Sequence, residues 1–235
     1  MKKLTLLLTA LALVASCATA ENRAIQELES KILKAPELEQ LSPDTAIELL
    51  RQGNINFATG NATQRNLQAQ LAKSLKLGQA PKAIVLSCID SRVPVEMIFD
   101  MGIGDIFVAR VAGNVVSEDM LASMEYACKY IGSKVVLVLG HESCGAVNAA
   151  CAGLEDGNLT ELMGRMETAV ILASEEGGDP FSKEFQSRAV RYNVEVMRER
   201  ILQGSEILNS LAKENKIKIA GGVFNLSTGL VEFIE

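Results

Sequence analysis

The chain has 235 residues, 48% of them hydrophobic, which is enough for one compact domain with a buried core. Its 29 acidic residues outnumber its 23 basic residues, and the formal net charge is −6. A nucleic-acid-binding protein is expected to carry a basic patch, and the sequence contains none. The composition therefore favours a protein that acts on a small molecule and argues against a nucleic-acid partner.

Residues 1–20 have the pattern of a secretory signal peptide. Two lysines precede an apolar run from Leu4 to Val14, which is about half the ~20 residues that a membrane-spanning helix needs. Two cleavage patterns overlap: "VASC" resembles a bacterial lipobox and would leave Cys17 lipidated, whereas "ATA" resembles an ordinary cleavage site that ends at Ala20. We expect export to a bacterial periplasm, with or without a lipid anchor at Cys17. The alternative is an apolar N-terminal helix.

Residues 21–41 are charged and helix-forming, which predicts a peripheral N-terminal arm, and residues 42–235 are expected to form a single domain. "SPDTAIELL" opens a helix with Ser42 as its cap and Pro43 in its first turn. Four short apolar runs then alternate with helical stretches: "KAIVLSC", "DIFVARV", "KVVLVLG" and "IKIAGGVF". Strands that are apolar on both faces are typical of parallel sheets covered on both sides. The predicted class is α/β, with a mainly parallel β-sheet core flanked by helices.

Metal-type ligands follow two of the predicted strands. Cys88 and Asp90 come directly after the first strand in "SCIDSRVP", and His141 and Cys144 follow the third in "GHESCGAV". Because ligands of such sheets bind at the carboxyl ends of the strands, we expect these side chains to meet. Two thiolates and one imidazole form the Cys2His set of catalytic zinc sites, which leaves a fourth position for water or for Asp90.

Each of these residues also has a simpler interpretation. A lone cysteine on a strand is often a small core residue, and in an exported protein Cys88, Cys128, Cys144 and Cys151 could form two disulfides in any of three pairings. His141 is the only histidine of the chain, and its place three residues before a cysteine favours zinc over a Cys88–Cys144 disulfide. Cys128 and Cys151 lie in helical stretches and are predicted to pack in the core.

Taken together, "CIDSRVP" and "GHESCGAV" resemble the C-x-D-x-R and H-x-x-C signatures of the β-class carbonic anhydrases. The resemblance extends from about Leu49 to Glu235 and includes "GQAPKA", "GDIFVARVAGN" and "GGVFNLSTGLVEF". It implies one zinc ion per subunit, held by Cys88, His141 and Cys144. The implied reaction is the reversible hydration of carbon dioxide to bicarbonate and a proton by zinc-bound hydroxide.

The same resemblance implies that Asp90 and Arg92 form a catalytic dyad. A bidentate guanidinium would keep Asp90 ionised and off the metal, where it accepts the hydrogen bond of the hydroxide. Some members adopt a closed form in which the counterpart of Asp90 is the fourth zinc ligand and a tryptophan helps to bind bicarbonate. This chain has no tryptophan, so we expect the open form. The simpler interpretation of Arg92 is a surface salt bridge.

Four further positions match substrate-pocket residues of the family. Gln79 aligns with a glutamine that hydrogen-bonds a substrate oxygen, Phe107 and Tyr126 align with the aromatic wall, and Gly145 follows the last ligand, where it would allow close backbone approach. Core packing is the alternative for the two aromatic residues. The family pocket lies between two subunits, which implies a homodimer or a dimer of dimers. One departure is Asn56, which stands where many members carry arginine, so the outer contact at that position stays open.

Two other functions stay open at this point. Carbonyl sulfide and carbon disulfide hydrolases resemble the same family, and their zinc ligands would look identical in sequence. A non-catalytic zinc-binding protein is the third hypothesis. A closed structural site usually has four strong ligands, and here the fourth would be Asp90, for which Arg92 competes.

Overall fold

The computed structural model describes residues 36–234 of the chain. The predicted signal peptide and Cys17 lie outside the described residues, and so does most of the arm predicted for residues 21–41. The helices are α1 (Pro36–Glu39), α2 (Pro43–Ala58), α3 (Leu67–Leu77), α4 (Val95–Ile98), α5 (Glu118–Glu125), α6 (Gly145–Cys151), α7 (Asn158–Gly164), α8 (Glu167–Glu175), α9 (Lys183–Gly204) and α10 (Glu206–Lys213). The strands are β1 (Ala83–Ser87), β2 (Ile106–Arg110), β3 (Val135–His141), β4 (Lys218–Phe224) and β5 (Val231–Ile234). A 3₁₀ turn spans Ala112–Asn114, and Tyr126–Ile131 is π-helical.

The strands form one sheet in the order β2-β1-β3-β4-β5. Strands β1 to β4 run parallel to one another, and β5 runs antiparallel to β4. All four predicted strands are present, and the mainly parallel α/β class is confirmed. The central strands β1 and β3 are buried along their whole length, which is why their sequences are apolar at every position.

Helices cover both faces of the sheet. Successive strand residues point to opposite faces, and accordingly Ile84 and Leu86 belong to one hydrophobic cluster, while Ala83 and Val85 belong to the other. The first cluster includes residues of α5, α6, α8 and α9, and the second includes residues of α2 and α4. The sheet is therefore the middle of three layers.

Helix α2 begins where the sequence predicts. The Ser42 side chain accepts a hydrogen bond from the amide of Thr45 at 3.1 Å, and Pro43 is the first helical residue. Further along α2, a Cβ atom on Gly53 would lie 1.9 Å from the carbonyl oxygen of Phe99. Glycine is required there because α2 packs directly against the backbone that follows α4. Helix α4 in turn follows the turn that contains Asp90 and Arg92.

The register of the sheet brings the two ligand-bearing loops to one edge. Ser87 at the end of β1 lies opposite Leu139 of β3, so Cys88 emerges beside the last residues of β3. Cys128 and Cys151 are buried in the first hydrophobic cluster, which confirms their predicted place in the core. Among residues 36–234, no helix is long and apolar enough to cross a membrane.

Candidate metal centre

The predicted ligands meet at the carboxyl edge of the sheet. Cys88 directly follows β1, His141 is the last residue of β3, and Cys144 is the residue before α6. Their ligand atoms lie within 4.8 Å of one another, and all three side chains are buried. In the part of the chain that the structure describes, these are the residues that form a metal-type cluster.

The geometry of this cluster fits a tetrahedral zinc ion. Two sulfurs bound at about 2.3 Å in tetrahedral geometry lie about 3.8 Å apart, and the Sγ atoms of Cys88 and Cys144 are 3.9 Å apart. A disulfide needs a sulfur–sulfur distance of about 2.05 Å, and all the described cysteines are free. Nε2 of His141 is buried and has no hydrogen-bond partner among the described residues, a need that a metal ion would satisfy.

The loop after β3 aims the imidazole at the two sulfurs. Nδ1 of His141 lies 2.9 Å from the carbonyl oxygen of Glu142, so Nδ1 carries the proton and Nε2 is the free ligand atom. The Glu142 side chain in turn accepts a hydrogen bond from Asn225 at 2.9 Å. Ser143 has a left-handed backbone with φ 53°, which turns the chain so that Cys144 starts α6 beside the histidine.

Hydrogen bonds favour negative charge on one of the two sulfurs, that of Cys88. The Cys144 thiol is the main cause that lowers the pKa of Cys88 to about 4; burial opposes it, and His141 and the amides of Gly113 and Asp90 assist it. The same thiol hydrogen bond, together with burial, raises the pKa of Cys144, while the first amides of α6 act in the opposite direction. The two sulfurs thus share one proton. A divalent cation would take the place of that proton and hold both sulfurs as thiolates.

Asp90 and Arg92 form the predicted pair beside the cluster. Oδ1 of Asp90 accepts hydrogen bonds from the Arg92 amide at 2.9 Å and from its Nε at 3.0 Å, and Oδ2 accepts one from Nη2 at 2.8 Å. These bonds hold the pKa of the Asp90 carboxyl well below its usual range, so Asp90 is ionised. Its Oδ2 lies 3.9 Å from Nε2 of His141, next to the three ligands.

The structure places Gln79 far from this cluster. Gln79 lines a pocket of about 350 Å³ together with Gly104 and Asp105, which precede β2. That pocket therefore lies at the amino edge of the sheet, opposite the metal-type cluster. Within one chain, Gln79 cannot contact a substrate at the carboxyl edge.

The two aromatic residues predicted for the pocket wall also lie apart from the cluster. Phe107 stands opposite Ile84, well before the carboxyl end of β1, and with Tyr126 it lines an open apolar groove of about 530 Å³. Gly145 does adjoin the cluster because it follows Cys144. A Cβ atom on Gly145 would meet no atom within 4 Å, so nothing within this chain requires glycine there.

Gly113 contributes to the site in a way that the sequence did not reveal. Gly113, in the turn after β2, adopts a positive φ of 70°, and a Cβ atom there would lie 2.6 Å from Sδ of Met166. Its amide also donates to the Cys88 sulfur. The buried Asn193 of α9 fixes this turn because its Nδ2 donates to the Gly113 carbonyl at 2.8 Å. A contact across 80 residues leaves no local sequence signal.

Fold and site together define a zinc metalloenzyme built on an α/β sheet. The sequence model of the carbonic anhydrase family matches residues 83–231. Carbonic anhydrase 2 of Mycobacterium tuberculosis is 34% identical over 193 residues, covering 80% of this chain and 91% of that protein. A carbonic anhydrase of Mycolicibacterium smegmatis is 33% identical over 196 residues, covering 81% and 93%.

The structural comparison agrees with these relatives. A crystal structure of a tetrameric β-carbonic anhydrase from Sordaria macrospora superimposes with a TM-score of 0.64 at 27% identity, covering 78% of this chain and 93% of that one. The chain belongs to the β-class carbonic anhydrase family. Zinc is its cofactor, and the Cys2His cluster supplies the donors that this metal prefers.

Proposed function

We propose that this protein catalyses the reversible hydration of carbon dioxide to bicarbonate and a proton. Membership of the carbonic anhydrase family and the names of its relatives support this reaction. The observation that carries the proposal is the hydrogen bonding of Asp90. A carboxylate has about four lone-pair sites, and Arg92 fills two on Oδ1 and one on Oδ2. The remaining lone pair is on Oδ2, the oxygen nearest the ligand cluster.

The residues of the site divide the work between them. When bound, zinc supplies a Lewis acid that brings the pKa of a water molecule to about 7. The thiolates of Cys88 and Cys144 would hold the metal and lower its net positive charge, and His141 would complete the ligand set. Asp90 accepts a hydrogen bond at Oδ2 from the attacking oxygen and orients its lone pair toward carbon dioxide. Arg92 keeps Asp90 ionised and holds it off the metal.

A comparison of gases tests this proposal. Zinc-loaded protein is mixed in turn with carbon dioxide, carbonyl sulfide and carbon disulfide, and the initial rates are measured by proton or sulfide release. We expect fast hydration of carbon dioxide and rates near background for the other two gases. Faster turnover of either sulfur compound would replace the proposed substrate, and zinc binding without any turnover would favour a non-catalytic role.

We also propose that a second copy of the chain completes the substrate pocket. Gln79, Phe107 and Tyr126 lie away from the cluster of their own chain, and helix α3 has no buried residue. The side chains of Leu67, Leu71 and Leu75 follow one another at four-residue spacing along α3 and are exposed. A surface of this kind supports burial against a neighbour, in a homodimer or a dimer of dimers.

Mixing two inactive variants tests this shared pocket. Gln79→Ala would remove a pocket residue and Cys144→Ser a zinc ligand, so each homo-oligomer is expected to have low activity. After subunit exchange, a mixed dimer would contain one site with both residues intact, and activity should rise above that of either parent. A mixture no more active than the average of its parents would contradict a pocket shared between subunits.

Finally, we propose export to a bacterial periplasm, with residues 1–20 as signal peptide, 21–41 as arm and 42–235 as catalytic domain. The charge and hydropathy pattern of the N-terminal sequence supports this arrangement. Mass spectrometry of the mature N-terminus would distinguish a lipidated Cys17 from cleavage after Ala20. An unprocessed N-terminus in the cytoplasm would contradict export.

A further inference from the structure

Arg110 connects the end of β2 to the loop that carries both the metal ligand Cys88 and the carboxylate of Asp90. It lies opposite Ser87, and backbone pairing between β1 and β2 ends at the next residue, where the Val111 amide donates to the Ser87 carbonyl at 3.0 Å. Beyond that point the Arg110 side chain, instead of the backbone, makes the hydrogen bonds between the two segments. Its Nε donates to the Cys88 carbonyl at 2.9 Å and its Nη2 donates to the Asp90 carbonyl at 2.6 Å.

These two hydrogen bonds fix the segment on either side of Ile89. Because Nε and Nη2 belong to one rigid, planar group, the two carbonyls that they bind are held at a set separation. One carbonyl belongs to the ligand Cys88 and the other to Asp90. The Asp90 carbonyl also accepts from the Val93 amide at 3.0 Å, which closes the turn that carries Arg92.

Little else holds this segment from the β2 side. The Ile89 side chain is 60% exposed, so core packing does not anchor it. In the described part of the chain, no carboxylate lies within ion-pair distance of Arg110. Within residues 36–234, the guanidinium of Arg110 is thus engaged with the two carbonyls of the site loop and with no competing carboxylate.

We propose that Arg110 is a positioning residue for the hydration reaction. It keeps Sγ of Cys88 and the carboxylate of Asp90 in the relative position that zinc binding and hydrogen bonding to the attacking oxygen both need. This role rests on the function proposed for the site. A lysine would keep the charge of Arg110, but its single ammonium group lacks the two donors of fixed geometry.

Arg110→Gln tests the proposal, with Arg200→Gln as its matched control. Arg200 of α9 also donates from its guanidinium to a backbone carbonyl, that of Arg165, away from the metal-type cluster. For Arg110→Gln we expect zinc affinity, measured by competition with a chelator, to fall about 10–100-fold. We expect kcat/KM for carbon dioxide to fall by a similar factor even at saturating zinc, while the control changes both by less than about twofold.

The saturating-zinc arm separates positioning from a general structural role. Folded protein with a full zinc complement and low kcat/KM supports misplacement of Asp90. Arg110→Gln protein that matches the control in zinc affinity and in kcat/KM overturns the proposal. If Arg110→Gln does not fold, Arg110→Lys is measured in the same way and the same two outcomes apply. If the wild-type chain does not hydrate carbon dioxide, the proposed function fails, and the zinc-affinity comparison still decides the role of Arg110.

Discussion

Two aspartate–arginine pairs in this molecule form the same kind of ion pair but have different roles. Asp90 and Arg92 are two residues apart in one turn beside the metal-type cluster. Asp100 and Arg65 are 35 residues apart and link the loop before α3 to the chain that leaves α4. In both pairs the guanidinium contributes to a lowered carboxyl pKa. The difference lies in how many donors each carboxylate has.

Every lone pair of Asp100 is used for structure. Oδ1 accepts from Arg65 and from the Thr63 amide at 2.9 Å, and Oδ2 accepts from the Thr63 hydroxyl at 2.8 Å and from Asn56 at 3.1 Å. The side chain of Asp100 is only 4% exposed. Asn56, at the position where the family resemblance led us to expect arginine, contacts Asp100. Nothing is left on this carboxylate for a ligand.

Asp90, by contrast, keeps one lone pair free at Oδ2 because Arg92 supplies three donors and no further side chain supplies a fourth among the described residues. A saturated carboxylate stabilises the fold, whereas an unsaturated one beside a metal site is available for chemistry. The same residue types can therefore be assigned different roles by counting donors.

The largest effect should come from removing the metal that gives Asp90 its role. Cys144→Ser replaces a thiolate with a poor zinc ligand, and we expect zinc content to fall from one per chain toward zero and activity to fall by more than about 100-fold. Metal analysis and stopped-flow hydration measure the two effects. Full zinc content in this variant would show that Cys144 is not a ligand.

Asp90→Asn should have the second largest effect on activity. Asparagine keeps the shape of the side chain but presents an NH₂ group or a neutral oxygen where the free lone pair stood, so we expect kcat/KM to fall by about 100-fold. Zinc content and melting temperature should stay close to wild type, since the change removes no ligand. Undiminished turnover would remove the dyad from the mechanism.

Asp100→Asn should have the opposite result, a loss of stability with little change in turnover. It removes the charge that Arg65 and three other donors stabilise, and we expect the free energy of unfolding to fall by about 2–3 kcal/mol, measured by urea denaturation. Turnover per zinc-loaded, folded molecule should change by less than about twofold. Loss of turnover without loss of stability would mean that the two pairs do not differ as described.

The smallest effect is the pH dependence of stability. Burial alone would raise the pKa of Asp100, but hydrogen bonds from Arg65, Asn56 and Thr63 outweigh it and lower the pKa to about 2, from an ordinary value of 3.8. A lowered pKa stabilises the fold above the ordinary value, and this contribution is lost as pH falls from about 4 to about 2. It amounts to about 2 kcal/mol.

Urea unfolding of wild type and Asp100→Asn across this range isolates the contribution. The difference between the two proteins should be largest near neutral pH and should narrow below about pH 4. A difference that stays constant down to about pH 2.5 would mean that Asp100 does not titrate as the hydrogen bonds indicate.

Much of this site could be predicted because its ligands stand at the ends of strongly patterned strands. Apolar runs predict β1 and β3, and the parallel class then brings Cys88 and His141 to one edge without further information. The N-cap at Ser42 was also predicted, because it depends only on neighbouring residues in the sequence. Features that depend on one short stretch of sequence and on the parallel class of the sheet could therefore be predicted from the sequence.

Other features depend on contacts between distant segments, and the sequence does not encode them locally. Strand β5 has only four residues and pairs antiparallel at the end of the sheet, so its sequence is too short to be distinguished from the chain around it. The bonds from Asn193 to Gly113 and from Arg65 to Asp100 cross 80 and 35 residues. The distance of Gln79 from the cluster is a different case: Gln79 precedes β1 and Cys88 follows it, so strand direction alone separates them, and the motif match did not take that direction into account.

The most direct test of the account is zinc content and carbon dioxide hydration measured on one preparation of the mature protein, before and after removal of the metal with a chelator. The account predicts one zinc ion per chain, hydration that disappears when the zinc is removed, and recovery when zinc is returned. Protein that is purified without metal, with Cys88 and Cys144 joined in a disulfide, or that hydrates carbon dioxide equally well after zinc removal, would contradict it.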